Sequence, residues 1–161
     1  MHNYDFRWDG TSPLDSVLKQ SIKAVSLTMR GITPGALTLW HAGGSLLDIY
    51  TEMIDLDEHR EAGVLVFEEV YQVPPYQHII RFDANPLEIK NVHRLIVEED
   101  GDRLVEAGII LEALDHKPIS IIAGSFPCSL AIDGLFDFPR VFDTEYEMDA
   151  YVRLEFRGHH T

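Results

Sequence analysis

From Thr144 to Arg157 the chain alternates apolar and charged residues, TEYEMDAYVRLEFR. The even positions are Tyr146, Met148, Ala150, Val152, Leu154 and Phe156, and the odd ones are charged except for Tyr151. A period of two over this length predicts a strand with one dry face and one wet face. Such strands belong to antiparallel sheets, because parallel strands are usually buried on both sides. At ~3.3 Å per residue an unbroken strand would run roughly 40 Å, so the pattern predicts a bend. It suits a coiled sheet, a barrel wall or an edge shared by two sheets.

Upstream, three places announce a helix start. Ser12-Pro13-Leu14-Asp15 supplies a capping serine, a proline at the first helical position and a carboxylate at the third. Leu14, Leu18, Ile22 and Val25 follow at helical spacing. The helix is expected to reach about Ala24, with the β-branched stretch up to Arg30 open to strand. Thr33-Pro34-Gly35 is a turn, and residues 36–41 a short strand. The second start is Gly43-Gly44-Ser45. Leu46, Ile49, Tyr50, Met53 and Ile54 then line one helical face, opposite Asp48, Glu52, Asp55 and His59, which predicts an amphipathic helix over 45–62 closed by Gly63. The third, Asn85-Pro86-Leu87-Glu88, leads into a turn or so of helix.

Strands are predicted over 64–73, ended by Pro74-Pro75, and over 76–83, with Tyr76, His78, Ile80 and Phe82 on one face. Residues 92–99 and 102–114 flank Asp100-Gly101, a strong hairpin signal. A two-residue turn there would set Glu98 against Arg103, Ile96 against Val105 and Val92 against Ile109. Asp115–Lys117 forms a turn, residues 119–123 and 128–133 are short strands, and 134–143 is a packed aromatic connection into the final strand. No internal repeat or linker interrupts the chain, so residues 1–161 are expected to form a single domain. The fold class is α+β, β-dominated: an antiparallel meander of about seven to nine strands, as a strongly curved sheet, barrel or sandwich, with one or two amphipathic helices.

Composition supports a packed globular fold, with 45% hydrophobic residues and 10% aromatics. Charge is lopsided: 27 Asp and Glu against 13 Lys and Arg, a net −14. With no basic cluster, nucleic acid and anionic membrane surfaces are poor partners. The single cysteine, Cys128, leaves no internal disulfide and no cysteine-based zinc set. The N-terminus lacks a signal-peptide pattern, and the apolar runs fall short of the ~20 residues that span a bilayer. The expected location is cytoplasmic.

The strongest candidate chemistry is at His41-Ala42-Gly43-Gly44-Ser45. Gly43 and Gly44 let backbone approach a ligand, and with Ser45 they would place a helix N-terminus against an oxyanion or carbonyl. His41 can serve as acid or base, with Asp48 or Glu52 as the carboxylate. In this region the order of elements over 41–114 resembles hotdog-fold acyl-thioester enzymes, in which a His-Gly-Gly turn precedes a central carboxylate-bearing helix and a strand meander. The resemblance implies an acyl-thioester hydrolase or dehydratase with His41, Asp48 and Glu52 at its site. The chain has one extra residue between His41 and the glycines. Counted from Gly44, the family's carboxylate position falls on Thr51, one step from Glu52. The same residues also form a plain turn and helix cap, and that simpler reading leads.

Eight histidines show no metal-binding spacing, so neither a metal nor a cofactor is expected. Glu98, Glu99, Asp100 and Asp102 crowd the hairpin tip without the ligand order of a calcium loop. The leading expectation is a non-enzymatic interaction or assembly module. Its partner would be a protein with a basic surface, or a second copy joined through strand edges. The hotdog-like enzyme is the alternative, and a small-ligand-binding β-barrel using the aromatic stretch 136–156 the third.

Overall fold

The computed structural model describes residues 3–4, 12–57, 60–99, 103–136 and 143–156. Helix α1 (Ser12–Lys19) starts where the serine–proline signal places it and buries Leu14 and Val17. It stops short of Ala24, because Ile22 already begins strand β2 (Ile22–Arg30), whose Val25 and Leu27 are fully buried. The β-branched residues there favour the pleated surface over a helix. Gly31, at φ +64°, turns the chain into β3 (Thr33–His41). The proposed turn at Thr33–Gly35 thus falls two residues earlier, at Gly31 and Ile32.

The expected helix over 45–62 is not formed. Leu46–Asp57 is strand β4 and Arg60–Val70 is strand β5, paired antiparallel from Leu46↔Val70 to Asp57↔Arg60. The apolar spacing had imitated a helix because this strand is buried on both faces. Leu47 and Ile49 enter one cluster, while Ile54 and Leu56 on the opposite parity enter another. Apolar residues on both sides of a strand blur the period of two.

After the Pro74-Pro75 break the chain crosses the sheet end to β6 (His78–Arg81), giving the order β5-β4-β3-β2-β6. The crossing is tied to β2: Thr28 Oγ1 donates to the Pro75 carbonyl at 2.6 Å, and Met29 N–H to Gln77 Oε1 at 2.7 Å. Residues 85–88 form no helical turn. Leu87 instead exchanges two 2.8 Å backbone bonds with Ile22.

The second sheet has the order β10-β9-β8-β7-β11. It comprises β7 (Ile89–Glu99), β8 (Arg103–Ala113), β9 (Ile119–Ala123), β10 (Leu130–Asp133) and β11 (Val152–Phe156). A two-residue strand, β1 (Asn3–Tyr4), runs parallel to the start of β8. The β7–β8 hairpin forms, but its register differs from the expected one. Glu99 opposes Arg103, and past an irregularity at Leu95/Ile96 Val92 opposes Leu111. A longer connection shifts the tip by one residue and a bulge in β8 adds a second. The tip itself, Asp100 and Gly101, lies outside the described residues.

The architecture is β-dominated: two five-stranded antiparallel sheets with little helix, not a closed barrel. The described strands number eleven rather than seven to nine, through the β4–β5 hairpin and the two-residue β1. The sheets share a core of Leu37, Leu39, Leu47, Ile49 and Leu65 with Ile109, Leu111, Ile119 and Ile121, all 0–1% exposed. A smaller cluster joins Ile54, Leu56, Ala62 and Val64 to Val105 and Ala107, with Tyr151 packed on it. Beside these lies a buried ion pair. Glu106, fully buried on β8, accepts both N–H arms of Arg94 on β7, with Nη2···Oε2 at 2.8 Å. Burial raises the Glu106 pKa, and its bond to the Arg94 cation pulls it back down.

The final segment departs furthest from expectation. Thr144 bridges to Gly124 and Glu145 N–H donates to the Ala123 carbonyl at 3.2 Å, so the chain first follows β9. A 3₁₀ turn (Met148–Ala150) then redirects it, and only Val152–Phe156 is strand, paired with β7. Three positions of the predicted dry face stand clear of the core: Met148, Val152 and Leu154 are 47%, 55% and 41% exposed.

Stability measurements should follow this map. Leu39→Ala or Leu65→Ala should cost about 2–5 kcal/mol in denaturant melts, whereas Leu154→Ala in dilute solution should stay within ~0.5 kcal/mol. Arg94→Ala, which strands Glu106, should cost about 3–5 kcal/mol at neutral pH and less in acid, where Glu106 takes up a proton. Equal costs for Leu39→Ala and Leu154→Ala would contradict the assignment of the core.

Candidate functional site

Residues 41–45 connect β3 to β4 as a hairpin turn. Gly44 N–H donates to the His41 carbonyl and His41 N–H to the Ser45 carbonyl, each at 2.9 Å. Gly44 sits at φ +101°, where an L side chain is strained. Ala42 N–H donates to the Ser21 carbonyl at 2.8 Å, and a Cβ at Gly43 would come within 2.9 Å of Gln20 Oε1. The glycines therefore shape the turn and seat it on the end of α1. No helix N-terminus follows Ser45, so the free N–H groups expected there are absent.

Strand parity decides where the proposed catalytic residues go. Trp40 pairs with Leu46 and Thr38 with Asp48, so positions 38 and 40 share a face with 46, 48, 50 and 52. His41 has the other parity, that of Leu37 and Leu39, and is 1% exposed. Burial lowers its pKa, and the charge of Glu69 opposes that shift. Asp48 and Glu52 share the face turned away from the main core, four residues apart along β4. The sheet itself separates them from His41.

That face carries a row of paired positions, Ser26–Thr38–Asp48–Glu68. Thr38 Oγ1 donates to Asp48 Oδ1 at 3.0 Å, and Trp40 Nε1–H to Ser26 Oγ at 2.9 Å. Tyr50 Oη donates to Glu68 Oε2 at 3.1 Å. Desolvation pushes the Asp48 pKa up; the Thr38 bond counters this and the facing Glu68 adds to it. Tyr50 is pushed up to about 12, first by burial and then by Glu68. At the row's flank Trp40 stacks edge-on with Tyr76, centroids 6.0 Å apart, and Arg81 stands 6.0 Å over its ring. The arrangement is acidic and aromatic. Among the described residues no group of three His, Cys, Asp or Glu converges as a metal site.

Sequence reasoning missed two other features. A cleft of about 430 Å³ opens between residues 82–88 and 114–116, with Asn85, Glu88, Asp115 and His116 among its lining. The turn signals at Asn85-Pro86 and Asp115-His116 were the only trace of it. On β7, β8 and β11, Glu112 gathers Asn91, His93 and Arg153 at 3.2, 2.8 and 3.0 Å. These partners hold its carboxyl below the usual range, the Asn91 bond first and the His93 bond next. They become neighbours only through the register, which lies beyond any local pattern.

The remaining candidate is β11 itself. It is the last strand of its sheet, with β7 on one side and nothing paired on the other among the described residues. Compared with known proteins, the chain matches no family model, no curated protein and no solved structure. Among the described residues no helix is long and apolar enough to cross a membrane.

Asp48 and His41 each set a pH dependence. Asp48 binds its proton more tightly in the fold, so its contribution is full below about pH 3.9 and is lost as pH rises through the folded pKa. Asp48→Asn keeps an acceptor for Thr38 and removes that loss. It should be more stable than wild type at pH 7, with no advantage near pH 3. His41 has the opposite sense: its lowered pKa gives full stability above about pH 6.5, lost as pH falls through the folded value. In urea melts at several pH values, His41→Gln should flatten that acid-side decline.

Proposed function

We propose that the chain is a non-enzymatic interaction or assembly module that docks a partner along the outer edge of β11, which is unpaired among the described residues. One observation carries the reading. An alternation that calls for a dry face ends in a strand whose apolar side chains, Val152 and Leu154, stand 55% and 41% exposed. An edge strand offers unpaired backbone N–H and C=O groups, and one with apolar side chains beside them is a template for strand addition. Natural edges are normally blunted with lysine, proline or an inward charge. Val152, Leu154 and Phe156 do not blunt this one.

The enzymatic alternative ranks below it. Its central helix would occupy residues that form β4 and β5, and its acid–base residue lies across the sheet from its carboxylates. The acidity of the chain, −14 overall, adds long-range attraction for a basic surface but does not select the edge.

A photo-crosslinking amino acid at position 154, compared with one at Glu68 on the acidic face, tests the reading in cells that make the protein. The expected result is a discrete adduct from position 154 and none from position 68. No adduct from 154, or equal labelling at both, would remove β11 as the docking edge.

A further inference from the structure

We infer that the occupant of the β11 edge is a second copy of this chain, paired antiparallel about a twofold axis at Leu154. The inference rests on β11 being the docking edge and adds the identity and register of what docks. It begins with the order of residues in the strand, Val152-Arg153-Leu154-Glu155-Phe156. Read about its centre, the strand is apolar, charged, apolar, charged, apolar, with the two charges of opposite sign.

Three antiparallel self-pairings that engage at least three residues of the strand keep apolar positions opposite apolar ones. With the axis at Arg153, each arginine faces the partner's Arg153. With the axis at Glu155, two carboxylates meet. Only with the axis at Leu154 does Arg153 face the partner's Glu155, and Glu155 the partner's Arg153. In that register Leu154 meets the partner's Leu154, and Val152 the partner's Phe156. Registers shifted by one residue set leucine opposite arginine and mix the faces. Directly opposed like charges destabilise a strand pair and opposite charges stabilise it, so electrostatics selects one of the three. The resulting contact is isologous, as a twofold interface requires.

The rest of the fold is compatible with this geometry. Paired positions on neighbouring strands share a face, so Val152 and Leu154 lie on the side of Ile96 and Arg94, and Arg153 and Glu155 on the side of Leu95 and His93. Arg153 reaches Glu112 on β8 at 3.0 Å, so its guanidinium lies over β7 on that face and would swing to the outer edge to meet the partner's Glu155. The sheet would then continue from one copy into the next through β11, removing both exposed edges. A basic partner fits this edge less well. The strand carries one charge of each sign, so a uniformly basic segment would set a cation against Arg153.

The test is sedimentation equilibrium of the full chain over a concentration series. Wild type should show a monomer–dimer equilibrium. R153E puts two carboxylates opposite each other at both ends of the pairing, and E155R does the same with cations. Each should weaken dimerisation by about tenfold or more. The double variant R153E/E155R restores both attractive pairs and should recover the wild-type constant to within about threefold. R153E also removes the bond to Glu112, so thermal melts accompany each variant. Leu154→Lys leaves that bond in place, sets two ammonium groups at the axis and should likewise abolish the dimer. Wild type that stays monomeric at high concentration, a double swap that rescues nothing, or Leu154→Lys dimerising normally would overturn the self-pairing. A monomer whose position-154 crosslink captures a different protein would refute the second copy and leave the docking edge intact. A monomer with no crosslink would remove both.

Discussion

Burial of one parity of residues between the two sheets is the constraint on which the rest depends. Leu37, Leu39, Leu47, Ile49 and Leu65 face Ile109, Leu111, Ile119 and Ile121, all odd-numbered and all essentially without solvent contact. A slip of one residue in any strand would turn its leucines outward, so the register is strongly determined. On β3 and β4 the same parity separates His41 from the carboxylates. His41 is odd and goes inside, where desolvation keeps it neutral. Asp48, Glu52 and Glu68 lie on the opposite face, with Asp48 paired to Glu68 across β4 and β5. No side-chain rearrangement short of re-registering β3 against β4 would bring His41 to those carboxylates. An acid–base site built from them conflicts with the burial that makes the sheet.

The long β4–β5 hairpin meets a further demand, since it is covered on both sides. Near its start it supplies Leu47 and Ile49 to the main core, and towards its tip Ile54, Leu56, Ala62 and Val64 to the second cluster. That second contact brings β5 alongside β8, where Glu106 is buried. A carboxylate with no exposed surface persists there because Arg94 meets it with two N–H donors. Such a pair gives little net stability compared with apolar packing, but removing one partner is costly. It constrains β7 against β8 next to the bulge that resets their register.

Much of the fold was legible in the sequence, and the failures share one cause. The strand-rich antiparallel character, the start of α1, strand Ile119–Ala123, the Pro74-Pro75 break and the β7–β8 hairpin all follow from local signals. What failed was any inference that required knowing how many faces of a strand are covered. Residues 46–57 are covered on two, so their apolar spacing mimicked a helix. Val152 and Leu154 are open on the face that reads as dry, so their alternation mimicked a core strand. The Glu112 cluster, the Glu106–Arg94 pair and the cleft at 82–88 and 114–116 arise from strand order and bulges, which no local window contains. The glycine pair at 43–44 was legible as a turn, and a helix after it was not supported by what followed.

The final strand is where the mismatch between pattern and packing carries information. Other exposed large hydrophobics, such as Ile32 and Tyr71, sit in turns and connections, whereas Val152 and Leu154 are exposed within a strand, and the packing of the described residues within one copy does not account for this exposure. Solubility does not call for it either: the chain carries −14 net charge, and a lysine or proline at 152 or 154 would protect the edge at little cost. A self-complementary order of charges about Leu154 turns the exposed edge into a selective one. Under the proposed self-pairing it would accept its own sequence in one register, and oppose others by repulsion or by mixing wet and dry faces. On this reading the dry face exists as the alternation implies, and the second copy completes it.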